Sequence, residues 1–149
     1  MTEAIVKNLS FGDEAKKKIF KGINKLTQAV SSTLGASGKR VILEDSQGNP
    51  IITKDGVTVA DSIILLDSVE NIGAKLIKEA AKKTVKEAGD GTTTATVLAY
   101  SILQNAGSEL ANLGPRKIKE GIDTAVNKVI KYLEKNSVKV TGQMIDQVA

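Results

Sequence analysis

Apolar residues recur every three or four positions through four long segments of the chain, which is the spacing of one face of a helix. The first segment runs from Gly12 to Thr33, and the second runs from Ser68 to Ala88. The third begins near Thr92, and the fourth begins at Pro115, a residue type that suits the first turn of a helix. Because the links between the segments are short, we expect packed antiparallel helices.

The second segment shows both a start signal and an apolar stripe. Ser68 is a residue type that caps helix N-termini, and Glu70 places negative charge in the first turn. The apolar stripe that predicts the core-facing side consists of Val69, Ile72, Leu76 and Ala80.

Between the first and second helical segments the apolar period changes to two. The pattern predicts short strands over Arg40–Glu44 and Pro50–Lys54, joined as a hairpin by a turn at Asp45–Asn49. The predicted fold is therefore mainly α, an antiparallel helical bundle with a small β-hairpin.

The composition excludes several kinds of chemistry. The 149 residues include no Cys and no His, so a disulfide framework, a Cys/His zinc site, a thiol nucleophile and a histidine base are all ruled out. With 3% aromatic residues and a net charge of +4, we expect no nucleic-acid partner. Neither a leader at Met1–Asn8 nor an apolar run of about 18 residues is found, which predicts no membrane association and a cytoplasmic protein.

The strongest candidate site is Gly-Asp-Gly-Thr-Thr-Thr, residues 89–94, where the third helix begins. A helix N-terminus presents unpaired backbone amides and partial positive charge, which together favour phosphate. Gly91 allows close approach, and Asp90 fits beside phosphate if it holds Mg²⁺. A glycine cap, an Asp-Gly turn and a threonine cap explain parts of the segment. Three β-branched residues in a first turn cost helix propensity, however, and this favours phosphate binding.

Two further segments are weaker candidates. Thr33–Arg40 supplies glycines, a serine and two cations that suit a phosphate nest, but it is not a Walker A loop, since a strand follows it. A glycine cap leading into a strand explains it equally well. Thr53–Gly56 offers Lys54 to a phosphate and Asp55 to a water or a metal, although a solvated turn explains that segment alone. Both become persuasive only if folding brings the loops together.

Two stretches resemble group I, GroEL-type chaperonins: Ile52–Ala60, ITKDGVTVA, and Glu87–Ala99, EAGDGTTTATVLA. Shorter matches lie at Glu70–Ala74 and Gly121–Asp123, and the resemblance extends over essentially the whole chain. It implies a Mg²⁺-dependent ATPase that assists protein folding as a homo-oligomer of stacked rings. ATP and Mg²⁺ are the implied cofactors. The implied partners are unfolded client proteins and a co-chaperonin, which bind to regions of the family's proteins that these residues do not match.

The resemblance also divides the chain. Residues 1–136 match the first segment of the ATP-binding equatorial domain, and residues 137–149 match the start of an intermediate domain. A new helical period begins at Gln143 and stops at Ala149, so we expect a chain cut soon after it enters a second domain. A frayed terminal helix is the alternative. Because the family completes its site with a returning segment, we expect little or no ATP hydrolysis by this chain alone.

The resemblance assigns roles to individual residues. Asp55 matches a carboxylate that helps to place the attacking water, Lys54 matches a phosphate-contacting lysine, and Asp90 matches the Mg²⁺ ligand. The other matches to phosphate-binding positions are Thr33, Leu34, Gly35, Ala36, Gly91, Thr92, Thr93 and Thr94. Phosphoryl transfer to water needs positioning and charge neutralisation, so it proceeds without His or Cys.

One departure from the family pattern concerns the first loop. The family usually has Thr-Leu-Gly-Pro-Lys-Gly, whereas this chain has Ala36 and Ser37 in place of the Pro and the Lys. Loss of proline frees a backbone angle and loss of lysine removes a cation, so we expect weaker phosphate binding. A rival hypothesis is a non-enzymatic assembly module that self-associates through exposed apolar faces. A small kinase is a third hypothesis, but the sequence shows no acceptor site.

Overall fold

A computed structural model describes residues 9–45 and 47–148. The elements, in chain order, are α1 (Gly12–Ser31), β1 (Val41–Glu44), β2 (Pro50–Thr53), α2 (Gly56–Ser62), α3 (Ser68–Ala88), α4 (Thr92–Asn136), a 3₁₀ turn (Gly142–Met144) and α5 (Ile145–Val148). The prediction of a mainly helical chain with one small hairpin is confirmed. Met1–Asn8, on which the expected lack of a leader depends, lies outside the described residues, as do Ser46 and Ala149.

The hairpin pairs β1 with β2 in antiparallel register, from Val41 opposite Thr53 to Glu44 opposite Pro50. Its turn is closed by Asp45, whose Oδ1 accepts the backbone amides of Gln47 and Asn49, each at 2.8 Å. The strands are one residue shorter than predicted at their outer ends. The hairpin leads directly into α2, and this connection places the segment after β2 beside the helices.

The backbones of α1 and α3 are in close contact where the two helices cross. A Cβ on Gly22 would overlap the carbonyl of Glu70, and a Cβ on Gly73 would overlap the carbonyl of Ile19. Only glycine at both positions allows this approach. The core around the crossing comprises Ile23, Leu26 and Val30 of α1, Val59 and Ala60 of α2, and Ala74 and Ile77 of α3.

The predicted core face of α3 is wrong. The buried positions of this helix are Glu70, Gly73, Ala74, Ile77 and Ala81. Ile72 and Leu76, which belong to the predicted stripe, are 51% and 54% exposed. The close crossing explains the difference, because α1 can approach only a face of small side chains. Large apolar residues mark a helical stripe, but they would hold the two backbones apart.

Charged groups organise the start of α3. The cap is Asp67 and not the predicted Ser68, since Asp67 Oδ1 accepts the amides of Val69 and Glu70 at 2.9 and 3.1 Å. The buried carboxylate of Glu70 pairs with Lys21 at 2.8 Å and Lys25 at 2.6 Å. Hydrogen bonds from these two lysines hold the pKa of Glu70 below its usual value. The pairs tie α3 to α1 through a charge that is almost fully withdrawn from water.

Of the remaining helices, α2 differs from the predicted pattern and α4 agrees with it. The periodicity did not predict α2, which is seven residues long and buries Gly56, Val59 and Ala60. In α4 the backbone of Gly114 is non-helical, with φ 72° and ψ 155°, and Pro115 follows it. The predicted boundary between the third and fourth helical segments is therefore found at this point, where a kink divides α4 into two helical parts.

The chain divides after Gln104 into two compact units. The first contains α1, the hairpin, α2, α3 and the start of α4. The second contains the rest of α4 and the terminal turns, where the helical period predicted from Gln143 appears as the 3₁₀ turn and α5. Among the described residues, no helix has both the length and the apolar character needed to cross a membrane.

Candidate functional site

Three loops that are far apart in sequence line one cleft of about 360 Å³ in the first unit. They are the end of α1, the β2–α2 junction and the α3–α4 junction. Every predicted site residue except Ala36 lines this cleft. Ala36 lies one residue beyond it in the first loop and is exposed. The cleft also includes Gly56, Val57 and Gly89, which lie within the segments that the sequence singled out, and Val85, which does not.

The α3–α4 junction presents a helix start to the cleft. Gly89 ends α3 in a left-handed conformation, with φ 81° and its amide on the carbonyl of Val85. The carbonyl of Gly91 accepts the amide of Ala95 at 2.8 Å and so begins α4. The first-turn amides at Thr92, Thr93 and Thr94 have no carbonyl one turn earlier in the helix. These amides are donors suited to an anion in the cleft.

Asp90 is held in place by its own turn. Its Oδ1 accepts the amide of Gly91 at 2.6 Å, and the side chain lies at the N-terminal end of α4. Among the described residues, no group of three or more acidic or other metal-ligating side chains gathers in one place. Mg²⁺ normally takes one or two carboxylates and fills its remaining positions with phosphate oxygens and water. Asp90 fits this pattern as a single protein ligand.

The first loop is a closed turn even though it lacks the proline of the family pattern. Gly35 has φ 74°, and its carbonyl accepts the amide of Gly38 at 3.0 Å. The loop then contacts the end of α1, where the amide of Lys39 donates a hydrogen bond to the carbonyl of Ser32 at 2.8 Å. The hydroxyl of Thr33 is used at the helix end, where it donates to Val30 at 2.7 Å. The amides of Thr33 and Leu34 are also used there, on the carbonyls of Val30 and Ser31 at 3.1 Å each.

The β2–α2 junction places two opposite charges in the cleft, on Lys54 and Asp55. Asp55 caps α2: its Oδ2 accepts the amide and the hydroxyl of Thr58 at 2.8 and 2.6 Å. Its Oδ1 has a long bond of 3.4 Å to the amide of Val57. The Thr58 hydroxyl is the main reason that the pKa of Asp55 lies below its usual value. The carboxylate is thus ionised at neutral pH.

A steric contact joins this junction to α4. Gly56 is buried, and a Cβ at this position would overlap Thr93 Oγ1. A side chain at position 56 would therefore displace Thr93 or shift the junction. The Asp-Gly pair in the sequence marked a turn, but no local signal identified Gly56 as a contact between two parts of the site.

The charges of the cleft suit a metal-bound polyphosphate better than a bare one. Lys54 and the start of α4 attract an anion, whereas Asp55 and Asp90 repel it. A divalent cation between Asp90 and the phosphate oxygens would convert that repulsion into attraction.

Comparisons with known proteins identify the family of this chain. A model of the TCP-1/cpn60 chaperonin family matches residues 26–149. Heat shock protein 60 of Emericella nidulans is 46% identical over 145 residues, covering 96% of this chain and 25% of that protein. The chain thus spans about a quarter of the length of this relative.

Two solved structures show the same fold. The chaperonin gp146 of bacteriophage EL (Pseudomonas aeruginosa), crystallised in the presence of ATP-BeFx, is 32% identical with a TM-score of 0.74, covering 87% of this chain and 22% of that one. A group III chaperonin in the open state is 30% identical with a TM-score of 0.72, covering 85% and 25%. The family match includes every residue that lines the cleft. With the fold, the three loops and the matched residues all in agreement, this chain belongs to the TCP-1/cpn60 chaperonin family.

Proposed function

We propose that the cleft binds the phosphates of ATP together with Mg²⁺, as the nucleotide-binding part of an ATP-dependent chaperonin subunit. The convergence of three separate loops on one polar cleft carries this proposal. Ordinary turns and caps explain the first loop and the β2–α2 junction when each is considered alone. Together they combine a helix start, a lysine and two carboxylates around a space of about 360 Å³, and this combination suits phosphoryl transfer.

The roles follow from the position of each group. The amides at the start of α4 and the backbone of the first loop bind phosphate oxygens, and Lys54 neutralises charge. Asp90 would hold Mg²⁺, which when bound supplies the remaining charge neutralisation. Asp55 accepts a hydrogen bond from the attacking water and so orients it. Since its pKa is lowered by Thr58, Asp55 acts here as an ionised acceptor.

For this chain alone we propose ATP binding with little turnover. By the family resemblance, a returning segment adds a further carboxylate and contacts to the base, and these 149 residues do not match that segment. The cleft described here accounts for the phosphate end of a nucleotide only. Binding is therefore the property to measure first.

The wider assignment rests on family membership. We propose that residues 1–136 belong to an equatorial domain and that residues 137–149 begin an intermediate domain. The motifs at Ile52–Ala60 and Glu87–Ala99 favour the group I subtype, although the similar structures include a group III chaperonin. The proposed whole protein is a cytoplasmic ring-forming homo-oligomer that binds unfolded clients and a co-chaperonin.

A second candidate function is self-association without catalysis. The half-exposed Ile72 and Leu76 lie one turn apart on α3 and support it. Sedimentation velocity over a concentration series tests this candidate. Self-association that is lost in an Ile72→Gln/Leu76→Gln variant supports it. A monomer at all concentrations contradicts it.

The main experiment is calorimetric titration of ATP into the chain, with and without Mg²⁺. We expect Mg²⁺-dependent binding that is lost in Asp90→Asn. Asp123→Asn is the matched control, because Asp123 is an exposed helical carboxylate outside the cleft and pairs with Lys119 at 2.8 Å. Circular dichroism shows that each variant is folded. A folded wild-type chain that binds no ATP, or binds equally with Asp90→Asn, contradicts the proposal.

A further inference from the structure

Thr58 does not line the cleft itself but is hydrogen-bonded to Asp55, which does. It is absent from the cleft lining, whereas Asp55, Gly56 and Val57 are part of that lining. Its hydroxyl donates to Asp55 Oδ2 at 2.6 Å, and its amide donates to the same oxygen at 2.8 Å. Asp55 Oδ2 therefore accepts two hydrogen bonds from Thr58.

The other oxygen is less committed. Within residues 9–45 and 47–148, the bond that Asp55 Oδ1 accepts is the one from the amide of Val57, at 3.4 Å. A carboxylate oxygen has about two lone-pair sites, so Oδ1 retains the capacity to accept a short hydrogen bond. Thr58 thus makes the two oxygens of Asp55 inequivalent.

Helix capping does not explain the hydroxyl bond. An N-cap side chain satisfies backbone amides of the first turn, and Asp55 already does this through the amides of Val57 and Thr58. The Thr58 hydroxyl is not one of those amides. Asp67 caps α3 in the same chain by accepting two backbone amides, and the residue three positions later is Glu70, which has no hydroxyl. The effect of the Thr58 hydroxyl therefore falls on the carboxylate.

We propose that Thr58 is a positioning residue, whose hydroxyl holds Asp55 Oδ2 so that Oδ1 accepts the attacking water. This inference rests on the proposed function of the cleft. The hydroxyl also supplies the largest contribution that lowers the pKa of Asp55. The same bond thus fixes the orientation of the carboxylate and lowers its pKa.

Thr58→Val is the informative variant, because it preserves the β-branched shape and the backbone amide and removes only the hydroxyl. Thr58→Ser is the conservative rescue. Thr124→Val is the matched control, since Thr124 is an exposed helical threonine whose hydroxyl bonds its own helix at Glu120. The first readout is NMR titration of the Asp55 carboxyl carbon, which needs no nucleotide. We expect a higher pKa in Thr58→Val and a wild-type pKa in Thr58→Ser and Thr124→Val.

The second readout is calorimetry with Mg²⁺ and two ligands, ATP and ADP–aluminium fluoride, which mimics the phosphoryl group in transit with its in-line water. Thr58→Val should change ATP affinity less than about twofold and weaken the analogue about fivefold. Thr58→Ser should bind the analogue with wild-type affinity. If Thr58→Val weakens the binding of both ligands equally, Thr58 has a purely structural role and the proposal is overturned. An Asp55 pKa that is unchanged in Thr58→Val overturns it as well.

The proposed function can fail separately. If the folded wild-type chain binds neither ligand, the ATP site is contradicted, and with it the role of Thr58 toward water. The NMR titration then still reports whether Thr58 controls the Asp55 carboxylate. If Thr58→Val binds ATP normally and does not bind the analogue selectively more weakly, only the proposed role of Thr58 is contradicted.

Discussion

Gly56 lies against the hydroxyl of Thr93, so close that a Cβ at position 56 would overlap Thr93 Oγ1. This contact joins the residue that follows Asp55 to the first turn of α4. The two candidate phosphate loops can approach each other this closely because Gly56 has no side chain at the point of contact. We therefore expect a substitution at either residue to change the geometry of the cleft more than that of the rest of the fold.

Gly56→Ala should destabilise the chain by about 1–3 kcal/mol, since an added methyl group must displace Thr93 or the β2–α2 junction. In a Thr93→Ala background the cost should fall, because the overlapping oxygen is gone. A double-mutant cycle in urea measures the difference. Gly107→Ala is the control, as nothing lies within 4 Å of its added Cβ. Equal costs in both backgrounds contradict the steric relationship.

Gly22→Ala should be more damaging, because its Cβ would meet the backbone carbonyl of Glu70, which cannot rotate away. We expect a loss of about 3 kcal/mol in the free energy of unfolding, measured by urea titration with circular dichroism. Gly121→Ala has open space around the added Cβ and should gain up to about 1 kcal/mol from helix propensity. If the two substitutions have similar effects, the close crossing of α1 and α3 is wrong.

The Glu70 carboxylate should make stability depend on pH. Lys21 and Lys25 lower its pKa from the ordinary 4.5, so its contribution is present above pH 4.5. It is lost as the pH falls through the folded-state pKa. The stability advantage of wild type over Glu70→Gln should therefore shrink between about pH 5 and pH 3. Urea midpoints across this range measure it. Glu120→Gln, which removes an exposed partner of Arg116, serves as control, and a difference that stays constant with pH contradicts the expectation.

Restoring the family pattern in the first loop should strengthen nucleotide binding. The double variant Ala36→Pro/Ser37→Lys adds a fixed backbone angle and a cation beside the cleft. We expect about threefold tighter ATP binding by calorimetry, lost in high salt because the added lysine is exposed. Ser37→Lys alone separates charge from stiffness. Unchanged affinity in both variants would mean that this loop does not contact the phosphates.

Local chemistry made much of this protein predictable. The bounds of α3, the hairpin and the break before Pro115 agree with the sequence because caps, turns and prolines act over a few neighbouring residues. The site loops were predictable for the same reason. Glycines and threonines at helix ends have recognisable preferences, and the resemblance named their roles.

Tertiary structure decided which surfaces meet. The larger side chains of Ile72 and Leu76 predicted the core face of α3, but α1 packs against Gly73 and Ala74, because only small residues allow contact at the helix crossing. The contact of Gly56 with Thr93 likewise needs the folded chain, because the two residues are far apart in sequence. Local preferences are set by a residue and its nearest neighbours, whereas burial and site assembly depend on backbone approach between segments far apart in sequence.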